Sequence, residues 1–185
     1  EFTSTVEGGT TTYEWTALGD NINLTQTDDG TGVINAFTAE NITSEPLITS
    51  ITVIPTLTNG GVSSVGDSLT FTITVNPVPQ IENSLDNAIC HNESYTYSPE
   101  NGTNGVVPSG VTYSWGAPES TDATVQGTSG TAQTQFTTGT IENDDLNVAA
   151  TLTYTVTPTI LETGCVGPPF TVTITVNPTP TMNAL

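Results

Sequence analysis

The 185-residue chain contains no lysine and no arginine, whereas aspartate and glutamate together number 19 and give a formal net charge of −19 at pH 7. Basic side chains neutralise phosphate, and that neutralisation supplies most of the affinity of proteins for nucleic acid. The sequence therefore predicts no nucleic-acid, nucleotide or anionic-membrane partner. Stabilising helical ion pairs between residues i and i+4 are also impossible without a basic residue, and soluble cations such as Ca²⁺ are the natural counter-charges.

The chain also lacks the patterns of several other protein classes. Its apolar runs are far shorter than the roughly 20 residues that span a bilayer, so no membrane insertion is expected. No signal peptide is visible, and the abrupt start at Glu1 suggests a fragment. The single histidine, His91, has no Cys/His cluster for zinc and no nucleophile motif around it. The sequence therefore predicts a solvated turn at His91 and no enzymatic activity.

Threonine is abundant, with 40 residues, and 17 glycines and 12 prolines punctuate the chain. Threonine is β-branched and favours strands. Apolar residues alternate with threonine in two stretches, 151–157 and 170–176. Each predicted strand would therefore bury one face and expose the other, as in an antiparallel β-sandwich. A tryptophan on an early central strand is typical of an immunoglobulin-like sandwich.

An internal repeat with a period of about 100 residues is the main signal in the sequence. Tyr13 and Trp15 recur as Tyr113 and Trp115, and Phe37 recurs as Phe136. The stretch Leu69–Pro79 likewise recurs at Phe170–Pro180. Because such markers repeat in the same order, these aromatic residues are predicted to lie in the core; the alternative is a sugar-stacking platform.

The sequence thus predicts an all-β protein of tandem immunoglobulin-like antiparallel sandwiches. Residues 1–79 are expected to form a repeat truncated at its N-terminus, 80–180 a complete repeat and 181–185 the start of another. Asn76-Pro77-Val78-Pro79 and Asn177-Pro178-Thr179-Pro180 close the modules. Proline fixes its own φ, so these short linkers are predicted to be semi-rigid and to join modules end to end.

The Tyr-x-Trp strand, the lead-in Gly164–Pro169 and the closing Val-Asn-Pro-x-Pro pattern stand together in this order. This set resembles the PKD-like repeats of giant cell-surface adhesins of Bacteroidetes, and among them the repeats of gliding-motility adhesins. The resemblance implies secretion by the type 9 route to the surface of a Gram-negative bacterium and a stalk without catalytic activity. The implied partners are neighbouring repeats of the same chain and the secretion and motility machinery at the outer membrane.

Two cysteines, Cys90 and Cys165, would pair in an extracellular setting, and two free buried thiols are the alternative. In the family resembled, the corresponding cysteines look like a bridged pair. The resemblance therefore implies a disulfide between Cys90 and Cys165, although the equivalent segment of the first repeat, 60–64, has no cysteine.

Acidic clusters could offer Ca²⁺ its six to eight oxygen ligands. The weak candidates are Glu142, Asp144 and Asp145 in one loop and Glu82 and Asp86 at a module junction; Asp28–Asp29 is a further acidic cluster. The alternative is solvated loop charges that keep the protein soluble. No other cofactor is predicted. Asp67-Ser68-Leu69 also resembles the O-glycosylation acceptor motif of Bacteroidetes, with Ser68 as the acceptor.

Two other functions stay open at this stage. The modules could themselves bind surface polysaccharide or a protein partner, or they could form an accessory region of a secreted enzyme. Saturable glycan or partner binding by a single module would favour the first alternative over a passive spacer.

Overall fold

The computed structural model describes residues 8–24, 29–145 and 147–179, without the side chains of Asp29, Ser84 and Leu85. Asp28 and the predicted start of a further repeat at 181–185 lie outside this part of the chain. The described residues contain no helix, and the strands divide between two compact units. The first unit runs as far as Ile42 and includes Pro46–Pro77; the second comprises Thr43–Glu45 and the chain from Val78.

The second unit is a β-sandwich. Its strands are β6 Gln80–Ile81, β7 Ser84–Cys90, β8 Glu93–Tyr97, β9 Gly105–Val106, β10 Val111–Trp115, β11 Glu119–Ser120, β12 Gly130–Gln133, β13 Phe136–Ile141, β14 Ala150–Ile160, β15 Cys165–Val166 and β16 Phe170–Asn177. The main sheet has the order β12-β10-β14-β16-β7, with β11 and β15 also pairing with β14. Strands β8 and β13 form a second sheet, and β6 pairs with β9. All pairs are antiparallel except β7 with β16, which run parallel.

The core of this unit follows the alternation in the sequence. The inward side chains of β16, namely Phe170, Val172, Ile174 and Val176, are each at most 1% exposed. Burying a side chain of this size contributes about 1.5–3 kcal/mol, so this face holds β16 firmly against the sandwich. Phe136 reaches across from β13, with its ring centroid 4.9 Å from those of both Trp115 and Tyr154. The all-β, immunoglobulin-like sandwich predicted from the sequence is therefore confirmed.

The described strands of the first unit form one sheet. Its strands are β1 Thr10–Gly19, β2 Asp29–Thr31, β3 Leu47–Asn59, β4 Val62–Val65 and β5 Leu69–Val75. They are arranged in the order β2-β1-β3-β4, with β5 also pairing with β3. All of these pairs are antiparallel.

The sheet of the first unit repeats part of the main sheet of the second. Trp15 lies opposite Gly30 and Val53, just as Trp115 lies opposite Gly130 and Val156. The Gly66 N–H donates to the Pro55 carbonyl oxygen at 2.9 Å, and the Gly167 N–H donates to that of Pro158 at the same distance. The two tryptophans therefore occupy equivalent places in the two units.

The described residues of the first unit include no counterpart of β7 and β8. Its buried apolar cluster comprises only Trp15, Ile51 and Val53, with partly buried neighbours around them. Phe37, predicted as core from its match to Phe136, is only half-buried, and residues 33–46 form no strand. Phe136 lies in β13, which is held in place by pairing with β8. The segment around Phe37 has no such strand to pair with among the described residues, so it forms no strand itself.

Candidate functional site

The chain runs through the second unit from one end to the other. Near the point where it begins, the Pro79 carbonyl packs against Gly167, since a Cβ there would lie 2.1 Å from that oxygen. Gly167 follows β15, which pairs with the Ile160 end of β14. At the other end Asn177 follows Val176, which lies opposite Ala150. Ten residues of strand separate Ala150 from Ile160, or about 33 Å. We call these ends the N-terminal pole, beside Ile160, and the C-terminal pole, beside Ala150.

The first and last long strands of the unit are bonded directly to each other. Strand β7 lies parallel to β16 in a register from Ser84 opposite Val172 to Cys90 opposite Asn177, with one irregularity between Val172 and Ile174. We call this strand pair the terminal clamp. Its ends are reinforced, because the Asn83 side chain accepts a hydrogen bond from the Thr171 N–H at 2.8 Å and the His91 N–H donates to the Asn177 carbonyl at 2.9 Å.

A buried asparagine closes the C-terminal pole. The Asn143 side chain, in a residue only 2% exposed, donates to the carbonyl oxygens of Val148 and Val176 at 3.0 and 2.9 Å. Its amide oxygen accepts a hydrogen bond from the Asp145 N–H at 3.1 Å. This one side chain therefore ties the loop that follows β13 to the C-terminal end of β16. In the first unit the Asn41 side chain likewise donates to the Val75 carbonyl at 2.8 Å.

His91 lies in a turn, as predicted from the sequence, but it is not the solvated residue that was expected there. Its side chain is only 22% exposed, and its Nδ1 accepts a hydrogen bond from the Asn143 N–H at 3.0 Å. The Asp144 carboxylate lies 4.0 Å from the same nitrogen and is well exposed. The ring therefore braces the loop that Asn143 ties down, which corrects the sequence interpretation. The absence of a Cys/His cluster in the sequence could not reveal this role.

Two of the acidic residues predicted as calcium ligands make separate contacts with other groups. The Asp145 carboxylate accepts hydrogen bonds from the N–H groups of Asn147 and Val148, and Asp144 lies beside His91. Glu142, Glu82 and Asp86 are exposed. Across residues 8–24, 29–145 and 147–179, no three His, Cys, Asp or Glu residues come together in a group that could hold a metal ion. Calcium binding at these positions stays a prediction.

The predicted disulfide is contradicted by the structure, in which both cysteines are free thiols. Cys90 ends β7 opposite Asn177, at the C-terminal pole. Cys165 begins β15 opposite Ile160, at the N-terminal pole. The length of β14 therefore separates them by about 33 Å, whereas bridged cysteines have Cα atoms within about 7 Å of each other. The bridge implied by the family resemblance cannot form inside this module.

Both thiols should therefore be countable without any reducing agent. Iodoacetamide in denaturant, without reductant, is expected to add two labels per monomeric chain, since neither sulfur is tied up within the fold. Before denaturation, exposed Cys90 should react faster than half-buried Cys165. Intact-mass spectrometry of the wild type beside Cys90→Ser and Cys165→Ser variants measures both results. A monomer that takes no label would contradict the strand register.

The aromatic markers lie inside the two units. Trp15, Tyr113 and Trp115 are between 1% and 6% exposed, while Tyr13 is half-buried. The Trp115 Nε1–H donates to the Thr128 carbonyl at 3.0 Å. Burial raises the pKa of Tyr113 and of Tyr154 to about 12. A sugar-stacking surface needs open ring faces, and the two tryptophans and Tyr113 do not offer them.

Sequence comparison of the repeats alone could have found two further sets of structural residues. Gly30 and Gly130 lie against the rings of Trp15 and Trp115, so that a Cβ at either glycine would meet the ring within 2.5 Å. Asn41 and Asn143 are the buried amides described above. Each pair is spaced by about 100 residues, the period that the tryptophans already indicate. Ser68, the predicted glycosylation acceptor, is exposed between β4 and β5, and its modification stays a prediction.

Two recesses of the described part of the second unit hold no constellation of catalytic groups. A cavity of about 390 Å³ is lined by residues of the 117–127 stretch, and none of those lining residues is ionisable. A smaller one of about 270 Å³ at the N-terminal pole has Glu82 as its one carboxylate. Among the described residues there is no helix long and apolar enough to cross a membrane.

Comparison with known proteins gives one family. The model of the PKD-like domain matches residues 87–180, just over half of the chain. The matched stretch begins within β7 and covers the rest of the second sandwich. A search of curated proteins found no matching relative.

Proposed function

We propose, since the chain belongs to the PKD-like domain family, that its modules are load-bearing, non-catalytic spacers of a protein displayed outside the cell. Domains of this family are often extracellular structural or adhesive repeats, and they are generally non-catalytic. The terminal clamp is the single observation that carries the more specific, load-bearing part of the proposal.

The clamp lies where tension would pass. Force on the chain enters β7 at its Ser84 end, opposite Val172, and leaves β16 at its Asn177 end, at the C-terminal pole. Because the strands run parallel, this force slides one along the other and loads all their hydrogen bonds together. The evenly spaced bonds of a parallel ladder share such a load. Rupture then requires many bonds to break in one step, which raises the barrier to unfolding.

The net charge favours an extended, well solvated array of modules. The net charge of −19 keeps the surface solvated and makes successive modules repel one another, most strongly at low salt. We infer that the full protein is a large surface adhesin of a Gram-negative bacterium, of the kind used in gliding motility. Its partners would be neighbouring repeats and the outer-membrane secretion machinery. What supports this finer proposal is the resemblance of the module-closing Val-Asn-Pro-x-Pro motifs to those of gliding-motility adhesin repeats.

Single-molecule pulling tests the load-bearing proposal by changing only the direction of force. The 185-residue chain with a Cys165→Ser substitution is held either by its two ends or by Cys90 and its C-terminus. The first geometry shears the terminal clamp, whereas the second opens it from the C-terminal pole, one bond at a time. We expect a clearly higher unfolding force in the shear geometry at equal loading rate, because forced unfolding reports the unfolding barrier.

Extension identifies which unit opens. Unfolding of the second unit releases about 30 nm of chain in either geometry, at roughly 3.4 Å per residue. Wild-type protein pulled by its ends serves as the control for the serine substitution. Equal forces in the two geometries would remove the support that the clamp gives to a load-bearing role.

A further inference from the structure

Strand β5 of the first unit has one edge without a strand partner. It pairs with β3 along Leu69–Val75, and no other described strand pairs with it. Its counterpart in the second unit, β16, has β14 on one edge and β7 on the other. An open edge of this length presents unpaired N–H and C=O groups and is a ready template for another strand.

The Leu69 end of the inward face of β5 is also uncovered, whereas Ile73 on the same face packs against the Trp15 cluster. Leu69 is 65% exposed and Phe71 is 37% exposed, whereas the matching residues Phe170 and Val172 are 1% and 0% exposed. Both strands have the same alternation and equivalent antiparallel partners, β3 for β5 and β14 for β16. The difference in exposure therefore comes from what lies over them. Exposed apolar groups beside an open strand edge are typical of a site that accepts a partner.

The second unit shows which chain segment fits such a site. Strand β7 pairs with the edge of β16, placing Ile89 opposite Val176. Strand β8 then returns across the sandwich, and its Tyr95 and Tyr97 pack on the core. The Tyr97 ring lies 6.2 Å from that of Phe170 in an edge-to-face arrangement. A single stretch, Ser84–Tyr97, thus supplies both the strand for the edge and the cover for the inward face.

We propose that β5 is a strand-acceptor site whose occupant is an extended segment with the chemistry of Ser84–Tyr97. The segment adds parallel to β5 through backbone hydrogen bonds and lays its aromatic side chains over Leu69 and Phe71. Backbone pairing supplies affinity, and the alternation of apolar side chains supplies selectivity. This inference does not depend on the proposed mechanical role.

The test uses the whole 185-residue chain and a fluorescent peptide with the sequence of residues 84–98, in which the cysteine is replaced by serine. Anisotropy titration should show saturable binding at one site. Hydrogen exchange with mass spectrometry should show new protection at Leu69–Val75 and none in β16, whose edge is already filled. A peptide of the same composition with its apolar alternation scrambled is expected to bind at least about tenfold more weakly.

Matched variants locate the site. Phe71→Gln should weaken peptide binding by roughly tenfold or more, because it removes a ring that the segment would bury. Thr72→Gln, on the opposite face of the same strand, should leave binding unchanged. Circular dichroism checks that each variant is folded, and Leu69→Gln replaces Phe71→Gln if that variant is not.

Three results would overturn the proposal. These are equal binding of the ordered and scrambled peptides, no saturable binding at millimolar peptide, and protection confined to the second unit. Sedimentation velocity could give a fourth such result. If the chain forms a dimer in which β5 is already protected from hydrogen exchange, the occupant of the site is a second copy of the chain.

Discussion

Replacing Gly130 with alanine should lower the free energy of unfolding of the second unit by about 1–3 kcal/mol, the usual cost of forcing extra atoms into a filled core. A Cβ at this position would lie 2.3 Å from Cζ2 of Trp115. The ring cannot easily yield, because its Nε1–H donates to the Thr128 carbonyl and its face meets Phe136 at a centroid distance of 4.9 Å. Either the ring or strand β12 must move.

Gly116→Ala is the matched control, since a Cβ there meets nothing within 4 Å. It should change stability by less than about 1 kcal/mol, with a small gain from the loss of freedom in the unfolded chain. Urea unfolding followed by tryptophan fluorescence measures both variants, and hydrogen exchange assigns each transition to a unit. Gly30→Ala should produce the same loss in the first unit. Equal stability of Gly130→Ala and Gly116→Ala would show that the ring relaxes freely.

The fold class was accessible from the sequence because it depends on local alternation. Threonine and apolar residues alternate along β14 and β16, and this period of two gives each strand one buried face. The repeat adds a second, independent signal, because Trp15 and Trp115 meet the same kinds of neighbour in both units. Neither inference requires knowledge of which strands are adjacent.

The failed disulfide prediction depended on information that is not local. Whether Cys90 and Cys165 meet is decided by the direction of β7, and β7 runs parallel to β16 and so ends at the pole opposite β15. No residue pattern within Ser84–Cys90 distinguishes a parallel from an antiparallel partner. The family resemblance could suggest which residues pair, but not where this module places them.

Equivalent residues also need not be equally buried. Phe37 and Phe136 match in sequence, and Leu69 and Phe170 match as well, yet the first member of each pair is the more exposed. Burial depends on the strands that lie over a residue, and β7 and β8 supply that cover only in the second unit. Repetition in the sequence therefore predicts a residue's place in the sheet more reliably than its environment.

The 142–145 stretch shows how a charged cluster can conceal a structural residue. Three carboxylates drew attention to metal binding, whereas the residue that organises the loop is the uncharged Asn143 between them. Its role is visible only in the fold, because its two acceptors, Val148 and Val176, come from different parts of the chain. The matching Asn41 in the first unit was the available clue.

Substituting Asn143 with alanine should therefore destabilise the second unit by about 2–4 kcal/mol. The change removes two donated hydrogen bonds and one accepted bond at a site that is 2% exposed. A buried polar group left without its partner costs about 1–3 kcal/mol, and a neutral hydrogen bond contributes about 0.5–1.5 kcal/mol. Asn147→Ala, an exposed residue of the same loop, is the control and should stay within about 0.5 kcal/mol of wild type.

Urea unfolding measures the loss of stability, and hydrogen exchange shows which residues are affected. Faster exchange should begin at residues 147–149 and at the Asn177 end of β16, because those are the segments that the Asn143 side chain joins. Asn143 also positions the loop against His91, whose backbone N–H extends the terminal clamp. The variant should consequently unfold at a lower force when pulled by its ends. Unchanged force together with lower stability would mean that the C-terminal pole contributes to folding and carries no load.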